Sequence, residues 1–247
     1  MKVSKYSASG NDFVIFHSFV KKDRSDLAIK LCDRHEGVGA DGLIVLLPHE
    51  KYDFQWQFYN SDGSEASMCG NGTRACALYA YQNDLADEKM NFLTGAGAIS
   101  ASICGFEVES ALTKPITLKE PFEEEGRQWH FYDTGVPHLV TYCDDLQKEW
   151  DMDLAKKMRQ KYNANVNFAN LNQSLHVRTY ERGVEDETKA CGTGMVACFL
   201  GLNLSKKIGN KIQVIPKSGE LLEVRKDGEN LYFKGKVRHT FDGIVKV

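Results

Sequence analysis

The chain lacks a charge excess of either sign: its 247 residues carry 31 Lys and Arg against 34 Asp and Glu, a formal charge of −3. Without a basic surplus there is no bulk attraction to nucleic-acid phosphate or anionic lipid, so a partner has to be recognised locally. Long apolar runs are missing too; the longest, 43–47 and 195–200, are far too short to cross a bilayer. These absences argue against nucleic-acid and membrane roles and otherwise say little about function. Proline is scarce, with 5 residues, and no segment is of low complexity. The opening stretch MKVSKYSASG has no apolar leader, which with an odd number of cysteines points to a reducing cytoplasm rather than a disulfide framework. Cysteine itself is plentiful, with 7 residues, but none stands in the C-x2-4-C pairs that structural zinc sites use. No metal is therefore expected, and the question becomes what the thiols are for.

Two of them open near-copies of one motif. Cys69-Gly-Asn-Gly-Thr-Arg-Ala-Cys-Ala77 and Cys191-Gly-Thr-Gly-Met-Val-Ala-Cys-Phe199 share Cys, Gly, Gly, Ala and Cys at matched positions. The likeness extends upstream to Phe58-Tyr59-Asn60 and Thr179-Tyr180-Glu181, and more loosely pairs the segment from Tyr6 to Val14 with that from Tyr132 to Val140. The cysteines are 122 residues apart, about half the chain, so the sequence reads as two copies of one domain. The joint is placed near 112–118, where Thr113-Lys114-Pro115 interrupts regular structure, giving halves 1–114 and 115–247, with a tail of about 238–247 able to pack back on the first half.

Alternating or β-branched patterns predict strands at 13–16, 43–47, 54–59, 176–180, 212–215 and 231–233. Each copy then has a polar loop, 61–67 or 182–189, the Cys-Gly-x-Gly motif, and a segment, 75–81 or 195–202, that is apolar on nearly every side. A helix without a polar face must be surrounded by protein, so each copy is expected to wrap strands around it. Amphipathic helices are predicted at 25–32 and 154–162. The fold class is thus mixed α/β, or α+β, in two pseudo-symmetric halves, with the site expected in the cleft between them.

Three glycine motifs fit dinucleotide fingerprints: Gly37-Val-Gly-Ala-Asp-Gly42, Gly70-Asn-Gly-Thr-Arg-Ala75 and Gly192-Thr-Gly-Met-Val-Ala197. None follows a buried strand directly and opens a helix as that site requires, so no nucleotide cofactor is expected. Glycines at a helix start let backbone N–H groups meet an anion such as a carboxylate. The cysteine preceding them sits where the helix dipole favours thiolate over thiol, which singles out Cys69 and Cys191 as the reactive pair. Cys76 and Cys198, two turns further on, read as small core residues. Two equivalent thiols suit chemistry with mirror character: one thiolate takes a proton from a stereocentre while the other thiol delivers one to the opposite face.

The blocks Ser9-Gly-Asn-Asp-Phe13, Gly37-Val-Gly-Ala-Asp41, Tyr59-Asn-Ser-Asp-Gly63, Met68-Cys-Gly-Asn-Gly72 with Arg74, Pro137-His138, Asn165-Val-Asn-Phe168, Tyr180-Glu-Arg-Gly183 and Ala190-Cys-Gly-Thr-Gly194 resemble, in order, diaminopimelate epimerases. The resemblance implies cofactor-independent interconversion of LL- and meso-diaminopimelate, in lysine and peptidoglycan precursor synthesis, by a cytoplasmic homodimer. It implies Cys69 and Cys191 as the catalytic pair and His138 and Glu181 as groups tuning their protonation. Asn11, Asn60, Gly70, Asn71, Asn165, Glu181, Arg182, Gly192 and Thr193 are the implied substrate contacts. Amides can grip both ammonium and carboxylate, and a guanidinium can hold a remote carboxylate through two bonds.

The chain departs from the family pattern in places. Val136 stands where Asn usually precedes Pro-His, so one substrate contact is lost or supplied elsewhere; Gly42 replaces a common Gln; the loop from Arg182 to Cys191 is one residue longer; and a tyrosine associated with the family's dimer is Phe241. Proline and hydroxyproline racemases and phenazine-pathway isomerases are the nearest alternatives, although the former typically carry His where Asn71 stands. A thiol redox or metal-binding module is the alternative of a different class.

Overall fold

In the computed structural model, which describes residues 1–246, the chain divides into two compact units, Met1–Ala111 with Gly235–Val247, and Leu112–Lys234. Val247, the last residue of the expected C-terminal half, lies outside the described residues. The division falls slightly before the 114/115 read from the sequence, and the returning segment is slightly longer than 238–247. The joint is also tighter than expected, because regular strand resumes at Ile116 and only residues 112–115 remain irregular.

The first unit starts with a hairpin of β1 (Lys2–Ala8) and β2 (Asn11–His17), turned through Ser9 and Gly10 at φ of 50° and 89°. After helix α1 (Ser25–Cys32), strand β3 (Gly42–Leu47) lies parallel to β2, and β4 (Phe54–Asn60) antiparallel to β3. The polar segment that follows folds back on β4 through a Tyr59–Glu65 bridge. Helix α2 (Gly70–Gln82) comes next, then β5 (Lys89–Thr94) parallel to β4, and a meander of β6 (Gly97–Cys104) and β7 (Glu107–Ala111).

The second unit repeats this plan. After the edge strand β8 (Ile116–Glu124), β9 (Arg127–Asp133) and β10 (Pro137–Tyr142) form the hairpin, turned at Gly135. Helices α3 (Leu146–Glu149) and α4 (Met152–Tyr162) precede β11 (Asn165–Leu171), parallel to β10, and β12 (Leu175–Glu181), antiparallel to β11. The second polar segment was expected to be loop throughout, yet it contains a short strand, β13 (Asp186–Thr188), that pairs back on β12. Helix α5 (Gly192–Leu204), β14 (Lys211–Pro216) parallel to β12, β15 (Leu222–Asp227) and β16 (Asn230–Ile244) complete the repeat. The loose match around Tyr6 and Tyr132 is therefore the same hairpin in both units.

The ends of the sheets differ. Residues 237–244 of β16 pair with β1 from Lys2↔Ile244 to Ala8↔Val237, and β16 also neighbours β7, so the strands of the first unit close into a ring. The order in the second unit ends at β8, which among the described residues pairs with β9.

Both central helices are enclosed by their own strands. Helix α2 packs on β1, β2, β3, β6 and β7, and α5 on β9, β10, β11, β12, β14 and β15. Every residue from Gly70 to Ala80 is buried, which a helix with no polar face requires. Strand β3 is buried on both faces: Ile44 and Leu46 meet the α2 core, whereas Leu43, Val45 and Leu47 pack on Ala28, Leu31 and Cys32 of α1. That is why its sequence is apolar throughout instead of alternating.

Candidate active site

Cys69 and Cys191 are the N-caps of α2 and α5, both in extended backbone conformation. A cap residue precedes helix N–H groups that have no partner within the helix, so both sulfurs lie in the positive field of a helix start. Cys69 is half-buried and its Sγ accepts the Gly72 N–H at 3.3 Å; Cys191 is buried, with Sγ 3.5 Å from Thr193 Oγ1. Cys76 and Cys198 are fully buried deeper in the same helices, and burial pushes their thiols well above the ordinary range. They stay protonated and act as small core residues, as read from the sequence.

The second glycine of each motif has a packing reason. A Cβ on Gly194 would overlap Asn167 Oδ1 on β11, and one on Gly72 would come within 3.3 Å of Cys69 Cβ and 3.4 Å of Ile44. The pattern around Gly37 is structural as well, because a Cβ there would strike the carbonyl of Lys30 in α1, and Gly42 opens a strand.

Near Cys69 the side chains form a directed chain. Asn11 Nδ2 donates to Asp41 Oδ2 at 3.1 Å, and Asn11 Oδ1 accepts from Asn71 Nδ2 at 2.6 Å. Asn71 Oδ1 accepts from Arg74 Nη2 at 2.7 Å, and that guanidinium also reaches Ser9 Oγ at 2.7 Å. Asp41 is held by Arg34 at 2.8 Å, and Arg34 also grips Asp12 through two bonds of 2.9 and 3.0 Å. Although burial pushes the Asp12 carboxyl up, hydrogen bonds from Arg34 and Lys5 bring it down to about 2. A carboxylate at one end and a guanidinium at the other thus fix which way both amides face. Asn60, exposed at the end of β4, is outside this chain; its Nδ2 bonds Ser64 Oγ within its own turn at 3.0 Å.

In the second unit His138 is fully buried and burial, aided by the positive charge of Arg182, lowers it to about 3. Its Nε2 lies 2.9 Å from Thr193 Oγ1 and 3.4 Å from Asn165 Nδ2, and its Nδ1 lies 3.1 Å from Asn167 Nδ2. Asn165 Oδ1 accepts the Arg182 backbone N–H at 2.7 Å, and the Arg182 guanidinium bonds the Asn163 carbonyl at 2.9 Å. Glu181 is half-buried at the end of β12. The structure therefore gathers Asn11 and Asn71 in a chain beside Cys69, and links Cys191 through Thr193 and His138 to Asn165 and the Arg182 backbone N–H.

Several residues in these networks drew no role from the sequence, among them Asp12, Arg34, Asp41, Arg74 and Asn167. Asn167 had a readable signal, since Asn165 and Asn167 alternate in a strand whose neighbours are apolar. Buried amides on one strand face demand partners.

A diaminopimelate epimerase family model matches residues 3–116 and 130–240, covering both units and both cysteine motifs. The chain belongs to the diaminopimelate epimerase family. A family member from a Nitratiruptor species is 59% identical over 98% of this chain and 97% of its own length. Another from Campylobacter jejuni is 55% identical over 98% of each. Among solved structures, a phenazine biosynthesis protein of the PhzF family from Bacillus anthracis covers 100% of this chain and 99% of its own, with TM-score 0.76 at 16% identity. At that identity the likeness speaks for the fold alone.

Proposed function

We propose that this chain is an isomerase interconverting LL- and meso-2,6-diaminopimelate without a cofactor, with Cys69 and Cys191 as the two acid–base groups. The reading is carried by the pair of cysteines that cap equivalent buried helices in a chain of this family. One thiolate removes the α-proton and becomes a thiol. The electron pair left on carbon is delocalised into the adjacent carboxylate, which amides at the helix starts, Gly70-Asn71 and Gly192-Thr193, stabilise. The other thiol then delivers its proton to the opposite face and becomes a thiolate, so the pair exchanges roles with direction. Asn11, Asn60, Asn165, Glu181 and Arg182 are assigned to the ammonium groups and the remote carboxylate. His138, held neutral, acts on Cys191 through the Thr193 hydroxyl between them rather than by charge. The protein is further assigned to the cytoplasm, as a homodimer.

The test is incubation of LL-diaminopimelate with reduced enzyme in D2O without added cofactor. The expected product is the meso isomer carrying deuterium at the inverted α-carbon. Absence of exchange with this substrate, together with turnover of proline, would replace the assignment with a racemase of the same fold.

A further inference from the structure

We propose that Asn167 and Thr193 are positioning residues for Cys191: Asn167 holds His138 with its proton on Nε2, and Thr193 takes that hydrogen bond and turns its own hydroxyl proton toward the sulfur. The inference rests on the assignment of Cys191 as a working thiol and adds the atoms that set its hydrogen bonding.

The direction follows from one fixed point. Asn167 Nδ2 is 2.8 Å from the Leu139 carbonyl oxygen, which can only accept, so this end of the amide is the NH2 group. Its oxygen accordingly accepts from Thr179 Oγ1 at 2.9 Å. The second Nδ2 proton points at His138 Nδ1, 3.1 Å away, which must then be the lone-pair nitrogen. An uncharged imidazole with a bare Nδ1 carries its proton on Nε2, and the close partner of Nε2 is Thr193 Oγ1 at 2.9 Å. Asn165 Nδ2, also facing Nε2, is more distant at 3.4 Å, and its amide is oriented by the Arg182 N–H on its oxygen. With its oxygen accepting from His138, the Thr193 hydroxyl has one proton left, and Cys191 Sγ lies 3.5 Å away. When Cys191 is a thiolate the hydroxyl donates to it; when Cys191 is a thiol the same oxygen retains a lone pair. Asn167, His138 and Thr179 are buried, so water does not compete for the bonds that fix the amide and the ring, whereas Thr193 is half-buried. The imidazole in this arrangement is a donor to a hydroxyl and has no lone pair aimed at the sulfur. It orders the thiolate and does not take its proton. Gly194 belongs to the same device, because a side chain there would displace Asn167 Oδ1.

The experiment reads the thiol directly, so it succeeds or fails independently of whether diaminopimelate is turned over. Alkylation of the full chain by iodoacetamide is followed at Cys191 and Cys69 by peptide mass spectrometry across about pH 5 to 9. The other titratable groups that act on Cys191 and its network, Cys198, Arg182 and His138, are common to all variants. Thr193→Val is expected to slow Cys191 about tenfold near neutral pH and move its profile to higher pH, since it loses a hydrogen bond to a charged group. Thr193→Ser is expected to stay within about twofold of the parent, and Cys69 within about twofold throughout, because only the hydroxyl at Cys191 has changed. Nitrogen NMR of histidine-labelled wild-type protein, which needs no variant to fold, is expected to place the His138 proton on Nε2. Asn167→Asp, which puts an acceptor against Nδ1, is expected to move that proton to Nδ1 and slow Cys191 as Thr193→Val does. A wild-type proton on Nδ1, parental alkylation in Thr193→Val, or equal slowing in Thr193→Ser would each overturn the proposal.

Discussion

His138 is a buried group whose titration bears on folding. Its folded-state value of about 3 lies below the ordinary 6.5, so over that interval the unfolded chain binds more protons and stability rises with pH. Stability is then lost as pH falls below 6.5 toward 3, with His130, also lowered by burial, adding to the slope. Asp12 behaves differently: held at about 2 against an ordinary 3.8, its contribution is present above 3.8 and disappears only as pH falls through 2. Urea midpoints measured between about pH 6.5 and 4 are expected to fall steadily in the parent and less steeply in His138→Gln. The cysteines divide at this scale too. Cys69→Ala and Cys191→Ala are each expected to lower epimerisation a hundredfold or more, roughly the size of a lost general acid–base. Asp41→Ala, which frees one end of the Asn11 amide, is expected to lower kcat/KM for diaminopimelate by about tenfold while leaving the fold intact, as a lost hydrogen bond to a charged group would. Steady-state kinetics beside circular dichroism separates the two effects.

Among the elements, α2 and α5 carry both packing and chemistry. Phe199 on α5 is fully buried, so Phe199→Ala is expected to cost about 3–5 kcal/mol in chemical denaturation. Gly194→Ala is expected to destabilise by about 1–3 kcal/mol, because the new methyl has to push Asn167 away from Thr179. These helices were legible from their uninterrupted apolar faces, and α1 and α4 from amphipathic spacing, since helical periodicity is a local property of the chain. Strand β13 was not legible. The segment holding Asp186-Glu-Thr188 is polar, and it forms a strand because Thr179, Tyr180 and Glu181 offer it an edge to pair with. The Asn11–Asn71–Arg74 chain was only half legible: its members stood in the motifs, but which amide end faces which charge depends on strand β2 and helix α2 being brought together across 60 residues of sequence.

For the whole molecule, the late return of the chain has a consequence. Strand β1 gains its second neighbour only from residues 237–244, so the first unit's ring is completed by the last part of the sequence. Removing residues from Gly235 onward is expected to expose the β1 edge, lower the melting temperature of the first unit, and promote association through the unpaired strand. Thermal melts with light scattering would detect both changes; an unchanged melt would mean that β16 is dispensable to the ring. The duplication, the two helix-capping cysteines, the family and the catalytic pair to test could all be read from the order of residues, because repeats, helix starts and motif order are written in neighbouring positions. Where the chain divides, the closure of the first unit's strands by β16, and the direction of the bonds running from Asn167 to Cys191 came from folding. Those depend on which buried donors and acceptors meet across strands, and a buried polar atom takes its role from the partner that folding sets against it.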